Sequence, residues 1–252
     1  MTNIILSGCC GAMGKNIAES INRRSDCCIV AGIDIKSDDS LSFPVYCDPA
    51  DIKEKGDVII DFSHPSALDK LLKYAVATKT PAVIATTGLS DEQKESITEA
   101  AKETAVFFSA NMSLGVSLIT ELAQKAARVL GTDFDIEIIE RHHNKKIDAP
   151  SGTALMIADA LNSEFDNQMK YEYDRHSKRE KRTKSEIGIH AVRGGTIVGE
   201  HEIMFAGQDE IITVSHSARS KQIFATGAVN AAVFIKDLAP GLYSMKDLVD
   251  AK

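Results

Sequence analysis

The sequence predicts an α/β protein, with a doubly wound parallel sheet first and a second α+β domain on an open mixed sheet after it. Three observations carry that expectation. Over residues 1–110 short apolar runs alternate with amphipathic stretches. After Asn111 comes one long amphipathic stretch, then strand-like runs joined by short turns. The length, 252 residues, admits one large or two modest domains at roughly 150 residues each.

Taken in order, residues 3–7, 28–33, 57–62, 81–85 and 105–109 read as strands. The middle ones are apolar on both faces, as strands covered by helices on either side must be. Between them, 13–23, 66–78 and 91–104 read as helices. Leu68, Leu71, Leu72 and Ala75 recur at helical spacing, and Pro65 suits a helix start. Ser90 is an N-cap candidate, followed by Asp91 and Glu92 where carboxylates favour the helix dipole. Right-handed crossovers then make the sheet parallel.

Residues 113–130 read as a helix with Val116, Ile119, Leu122, Ala123, Ala126, Val129 and Leu130 on one side. A strand is expected over 134–141, a helix over 152–165 and a polar, mobile segment over 170–186. Runs at 187–193, 196–205 and 210–216 read as strands, and the short turns Gly194-Gly195 and Gln208-Asp209 predict antiparallel neighbours. A last helix is expected over 220–234. The first domain therefore spans 1–113 plus 223–252, and 114–222 is an insertion.

Hydrophobic residues at 44% and charged residues at 26% exclude a disordered chain, a collagen-like repeat and a disulfide-built miniprotein. A net charge of −7 opposes a general grip on nucleic acid or anionic lipid. The basic stretch from Arg175 to Lys184 reads as a loop. Five cysteines, arranged as Cys9-Cys10, Cys27-Cys28 and lone Cys47, lack metal-clip spacing, so buried or semi-buried reduced thiols and no metal site are expected. The opening Met1-Thr2-Asn3 and Ile4-Ile5-Leu6 resemble a first strand more than a signal peptide, and no run approaches the ~18 apolar residues of a membrane span. A soluble, cytoplasmic protein is expected, without nucleic-acid or membrane partners.

Gly8-Cys9-Cys10-Gly11-Ala12-Met13-Gly14 follows the first strand and opens the first helix. The pattern is GxxGxxG, yet its physics is that of a Rossmann-type dinucleotide loop: a tight turn, close backbone approach and helix amides facing a pyrophosphate. Asp34 closes the second strand, where a carboxylate accepts ribose hydroxyls and repels a 2′-phosphate. Lys36 offsets that repulsion, so NADH and NADPH both remain open. Ala85-Thr86-Thr87-Gly88 and Ser109-Ala110-Asn111-Met112 end strands where doubly wound sheets bind ligands, or else they are ordinary turns.

The most specific run is Glu140-Arg141-His142-His143-Asn144-Lys145-Lys146-Ile147-Asp148-Ala149-Pro150-Ser151-Gly152-Thr153-Ala154. Two histidines and two lysines in five residues concentrate positive charge, and the adjoining lysines repel a zinc ion. The helix opening at Pro150-Ser151-Gly152-Thr153 offers free amides to a carboxylate. Together these make a pocket for a small dicarboxylate with histidine as proton carrier and a lysine whose pKa neighbouring cations lower. The alternative from chemistry alone is a solvated basic loop with a capped helix.

This run resembles the signature of the dihydrodipicolinate reductase (4-hydroxy-tetrahydrodipicolinate reductase) family. The likeness extends over essentially the whole chain, through Asp61-Phe62-Ser63, Thr86-Thr87-Gly88, Val198-Gly199-Glu200-His201 and Phe224-Ala225-Thr226-Gly227. The resemblance implies NADH- or NADPH-dependent reduction of a cyclic imine dicarboxylate to tetrahydrodipicolinate in lysine and diaminopimelate biosynthesis. It implies His142 as acid/base residue, Lys146 as proton donor, and His143, Gly152 and Thr153 as substrate contacts. It places the cofactor on Gly8, Cys9, Cys10, Gly11, Ala12, Met13, Asp34, Ala85, Thr86, Thr87, Ser109, Ala110, Asn111 and Met112. It further implies that residues 114–222 bind substrate and join the chains into a homotetramer. Ala85 stands where many members have glycine, and Cys9 and Cys10 where smaller or polar residues are usual.

Two rival classes fit less well. A protein that senses NAD without catalysis has no use for two histidines and a lysine beside a helix N-terminus. A semialdehyde dehydrogenase needs a cysteine nucleophile in its second domain, and no cysteine follows Cys47.

Overall fold

The computed structural model describes residues 1–38 and 40–251. They form two compact units, Met1–Leu114 with Lys221–Lys252, and Gly115–Ser220.

The first unit runs β1 (Thr2–Ser7), α1 (Ala12–Asn22), β2 (Cys27–Ile33), β3 (Val45–Tyr46), β4 (Val58–Asp61), α2 (Leu68–Thr78), β5 (Ala82–Ile84), α3 (Asp91–Ala100) and β6 (Ala105–Phe108). Its sheet has the order β3-β2-β1-β4-β5-β6, extended past β6 by a strand near the C-terminus, and all pairs are parallel. Strand order reverses between β1 and β4, so a crevice opens there at the carboxyl ends of the strands. Alternation sends side chains to two cores. Ile4, Leu6, Val58, Ile60 and Val83 point to one face, and Ile5, Ile59, Ala82 and Ile84 to the other. Ser90 caps α3 through a reciprocal box with Gln93, as Ser90's position suggests.

The second unit runs α4 (Leu114–Leu130), β7 (Asp135–His142), α5 (Gly152–Ser163), β8 (Lys170–Glu172), β9 (Glu186–Arg193), β10 (Gly199–Ala206) and β11 (Ile211–Ala218). The chain then returns through α6 (Gln222–Ile235), β12 (Gly241–Tyr243) and α7 (Met245–Asp250) to the first unit, where β12 pairs with β6. Ala225, Ala228, Val229, Ala231, Ala232 and Ile235 of α6 are fully buried in the first of the two cores.

Four expectations need correction. The Gly194-Gly195 turn does not join neighbours: the sheet order is β11-β10-β7-β9-β8, so β7 lies between β9 and β10. It pairs parallel with β9 and antiparallel with β10, because α5 returns the chain in crossover fashion. Residues 170–186 are not a free segment. They include β8, and Arg182 donates to Asp135 and Glu137 at 3.0 Å each. On α4, Leu122 and Val129 are exposed, and the buried face is the narrower set Val116, Ile119, Ala123 and Ala127. Finally, the five cysteines are free thiols, but Cys47 is exposed rather than buried.

Candidate functional site

In the first unit, Gly8 takes φ +78, a conformation that glycine adopts without strain. A Cβ on Gly14 would sit 2.2 Å from the Gly8 carbonyl oxygen, so the loop can close only with glycine there. Gly11 caps α1 without a side chain, so no N-cap side chain takes up the first-turn amides of α1. The Cys10 amide donates to Asp34 Oδ2 at 3.0 Å, and the Lys36 amide donates to Oδ1 at 3.2 Å. Thus Asp34 is fixed beside the loop. A cleft of about 470 Å³ opens here, lined among others by Gly8, Gly11, Asp34, Ile35, Phe62 and Ser63. Open amides, a cradle a side chain would fill and a fixed carboxylate fit a dinucleotide.

The other residues expected at the cofactor are placed unequally. Thr86 is buried and donates its hydroxyl to Asp61 Oδ2 at 2.6 Å, so its proton is committed inside the fold; Thr87 is exposed. Ala85 is buried, and its amide donates to the Asp61 carbonyl at 3.0 Å. Ser109 donates to the Asn111 carbonyl oxygen at 2.8 Å, closing a turn that leaves Ala110 exposed. The side chains of Met112 and Cys9 belong to the core, while Met13 packs against it. Burial pushes the Cys9 thiol up to about 12, with Cys10 and Asp34 adding to the effect. A thiol so held resists oxidation.

In the second unit the site grows from β7. Residues two apart on a strand share a face, and Glu140 and His142 both turn to the side that α4 and α5 cover. Glu140 is fully buried and accepts four hydrogen bonds. Arg193 donates to both of its oxygens at 2.7 Å, the Ser151 amide donates to Oε1 at 2.9 Å, and His142 Nδ1 lies 2.6 Å from Oε2. Burial alone would raise the pKa of Glu140, but Arg193, His142 and the amide outweigh it and hold the carboxyl below its ordinary range. An ionised Glu140 accepts, so Nδ1 donates and Nε2 is the working nitrogen of His142.

Two further residues keep this ring in place. His201, opposite Glu140 on β10, meets His142 edge-on with ring centroids 5.3 Å apart, and its Nε2 lies 3.2 Å from Ser151 Oγ. A Cβ on Gly199 would come within 3.0 Å of His142 Nε2. The His201 pKa falls to about 4, first through burial and then through the charge of His142, with Lys146 adding to it.

The loop after β7 carries the remaining expected residues. The Lys146 amide donates to the His143 carbonyl at 3.1 Å in a tight turn, and Lys146 Nζ pairs with Asp148 Oδ1 at 2.9 Å. The neighbour of Lys146 is therefore a carboxylate, not the cation expected from the basic run. His143 Nδ1 is buried and has no partner among the described residues. Gly152 and Thr153 form the first turn of α5, which Ser151 caps by accepting from the Ala154 amide at 3.2 Å. Arg193 also donates to the Asp148 carbonyl at 2.6 Å, tying the loop to the sheet.

Sequence reasoning missed Glu140, Arg193, His201 and Gly199 as site residues. Glu140 stood in the quoted run with its i+2 relation to His142 visible. Arg193 had no local signal.

A dinucleotide loop on a doubly wound sheet, and a separate unit in which a buried carboxylate orients a histidine beside a helix N-terminus, define a nicotinamide-dependent oxidoreductase. The family model for the dihydrodipicolinate reductase N-terminus matches residues 2–112, and that for its C-terminus matches residues 115–249. The chain belongs to the dihydrodipicolinate reductase family. It is 53% identical over 249 residues to the 4-hydroxy-tetrahydrodipicolinate reductase of Caldanaerobacter subterraneus subsp. tengcongensis, covering 99% of this chain and 98% of the relative. The Clostridium novyi enzyme of that name is 46% identical over the whole of both chains. Among solved structures, the dipicolinate-bound dihydrodipicolinate reductase from Paenisporosarcina sp. TG-14 matches with TM-score 0.83 and 25% identity over 97% of each chain. A probable dehydrogenase from Thermotoga maritima, 14% identical with TM-score 0.61, shares the fold alone. The activity is NADH- or NADPH-dependent reduction of 4-hydroxy-tetrahydrodipicolinate in lysine and diaminopimelate biosynthesis.

Proposed function

We propose that His142 and Lys146 carry the proton chemistry of this reduction, on a dicarboxylate held at the N-terminus of α5. The observation that supports this most directly is the buried Glu140, whose four hydrogen bonds fix both the His142 ring and the Ser151 amide.

Reduced nicotinamide, when bound, supplies the hydride. The Gly8–Met13 loop, the amides of Ala12 and Met13, and Asp34 hold the dinucleotide, with the strand ends at Ala85, Thr86, Thr87 and at Ser109, Ala110, Asn111, Met112 beside it. The α5 amides at Gly152 and Thr153, together with His143, bind the substrate carboxylates, for helix N-termini favour negative charge. His142 acts as acid/base at Nε2, held in one tautomer by Glu140, and assists the loss of water from the hydroxylated ring. Lys146 delivers the proton that the anionic, enamine-like product of hydride addition requires. Asp148 keeps the Lys146 ammonium within reach of the turn. Positioned acids of this kind contribute about 10²–10⁴-fold.

The first unit is thus the dinucleotide-binding domain and the second the substrate-binding and oligomerisation domain. The sheet face away from α4 and α5 sets Ile139, Met204 and a Val192 that is 45% exposed among the Arg141–Glu202 and His190–Glu137 ion pairs, and by the family likeness this face joins copies as a homotetramer. Light scattering checks that assembly. No helix among the described residues is long and apolar enough to cross a membrane, which accords with a cytoplasmic site.

Lys146→Ala and His142→Ala lose most turnover while NADH affinity, read by fluorescence titration, barely changes. Unchanged kcat in both would overturn the assignment.

A further inference from the structure

Cys9, Cys10 and Asp34 each bring one donor atom into a cluster in which all three lie within 4.8 Å of one another. Adjacent cysteines carry none of the spacing that announces a metal clip, and the third donor comes from the end of β2, so the cluster exists only in the fold. The two sulfurs stand 3.9 Å apart. Two thiolates bound at about 2.3 Å to one tetrahedral zinc ion lie about 3.8 Å apart, so the pair already has the bite of a chelate.

The backbone holds this arrangement. The Cys10 amide fixes Asp34 Oδ2 at 3.0 Å. Cys9 Sγ is pressed against Gly32, where a Cβ would come within 2.6 Å of the sulfur, so the thiol has little room to turn away. Cys10 Sγ lies 3.4 Å from the Lys36 carbonyl oxygen, a further ligand atom on the open side. Mutual crowding by Cys10 and Asp34 adds to burial in raising the Cys9 pKa, as expected where groups that become anionic converge.

We propose that Cys9, Cys10 and Asp34 form a site for a thiophilic divalent cation such as Zn²⁺ or Cd²⁺, and that a cation there excludes the dinucleotide. Binding forms two metal–sulfur bonds and one metal–oxygen bond, releases the two thiol protons to solvent, and changes no oxidation state. The exclusion rests on the reading of Asp34 as the ribose acceptor; the site itself does not.

The test uses Co²⁺ as an optical probe on the full reduced chain in a Cys47→Ser background, which removes the exposed thiol. One equivalent of Co²⁺ is expected to raise a thiolate-to-cobalt charge-transfer band. Cys10→Ser and, separately, Asp34→Asn each weaken Co²⁺ binding at least about tenfold, since each removes one of three ligands. Saturating NADH weakens Co²⁺ binding in the parent. Absence of the band, its persistence at full affinity in both variants, or Co²⁺ affinity indifferent to bound NADH would overturn the proposal. NADH binding to the metal-free chain is titrated in parallel with chelator present. Its failure there would sink the dinucleotide reading, while the cobalt band would still decide the site.

Discussion

His201 makes the stability of this protein depend on pH in a range where most buried groups are silent. Its ring is 5% exposed, lies against His142, and has an Nδ1 with no partner among the described residues. Burial first, and the His142 charge next, lower its pKa from 6.5 to about 4. The unfolded chain therefore takes up a proton below pH 6.5 that the folded chain refuses until about pH 4. Stability from this group is complete above pH 6.5 and declines as pH falls through that window, by about 1.4 kcal/mol per pH unit. Between pH 6.5 and 5 the loss is about 2 kcal/mol. Urea unfolding of the parent and of His201→Gln across this range reads the difference, because other titrating groups cancel between the two. The parent should lose more stability than the variant by that amount, and the His201 ring resonances should stay fixed down to pH 5. A ring titrating near 6.5, or parallel loss in parent and variant, would refute the reasoning.

Glu140→Gln replaces an acceptor that meets four donors, and kcat should fall on the order of 10²-fold with the KM for NADH little changed; a loss under about threefold would show that His142 needs no such partner. In Gly227→Ala the new Cβ would sit 1.7 Å from the Met112 carbonyl oxygen, so α6 must shift. The expected cost is about 1–3 kcal/mol, seen as a lower Tm by calorimetry. Asp34→Ala should raise the KM for NADH more than that for NADPH, and equal increases would count against a ribose contact.

Most of the first unit was legible because its strands are short apolar runs bounded by helices with clear faces. Ile4, Ile5 and Leu6, or Val58, Ile59 and Ile60, are buried on both sides as their composition requires. The edge strands Val45–Tyr46 and Gly241–Tyr243 are two and three residues long and exist through pairing, not pattern. In the second unit adjacency in sequence misled, since β9 and β10 are separated in the sheet by β7. The charged segment before β9 looked mobile because the partners of Arg182 lie 45 and 47 residues away. Similarly, His142 was legible as chemistry, whereas the support beneath it was not: Arg193 reaches Glu140 across 53 residues.

The helix that closes one face of the first sheet, α6, is contributed by residues 222–235. A ribosome has already released the entire 115–220 unit, able to close its own interior, while Ile4, Leu6, Val58 and Ile60 still await their cover. The nascent chain therefore carries an unfinished oily surface until residue 235 has been added. Premature termination between residues 220 and 235 would yield a product with one sound half and one that invites chaperones or aggregation.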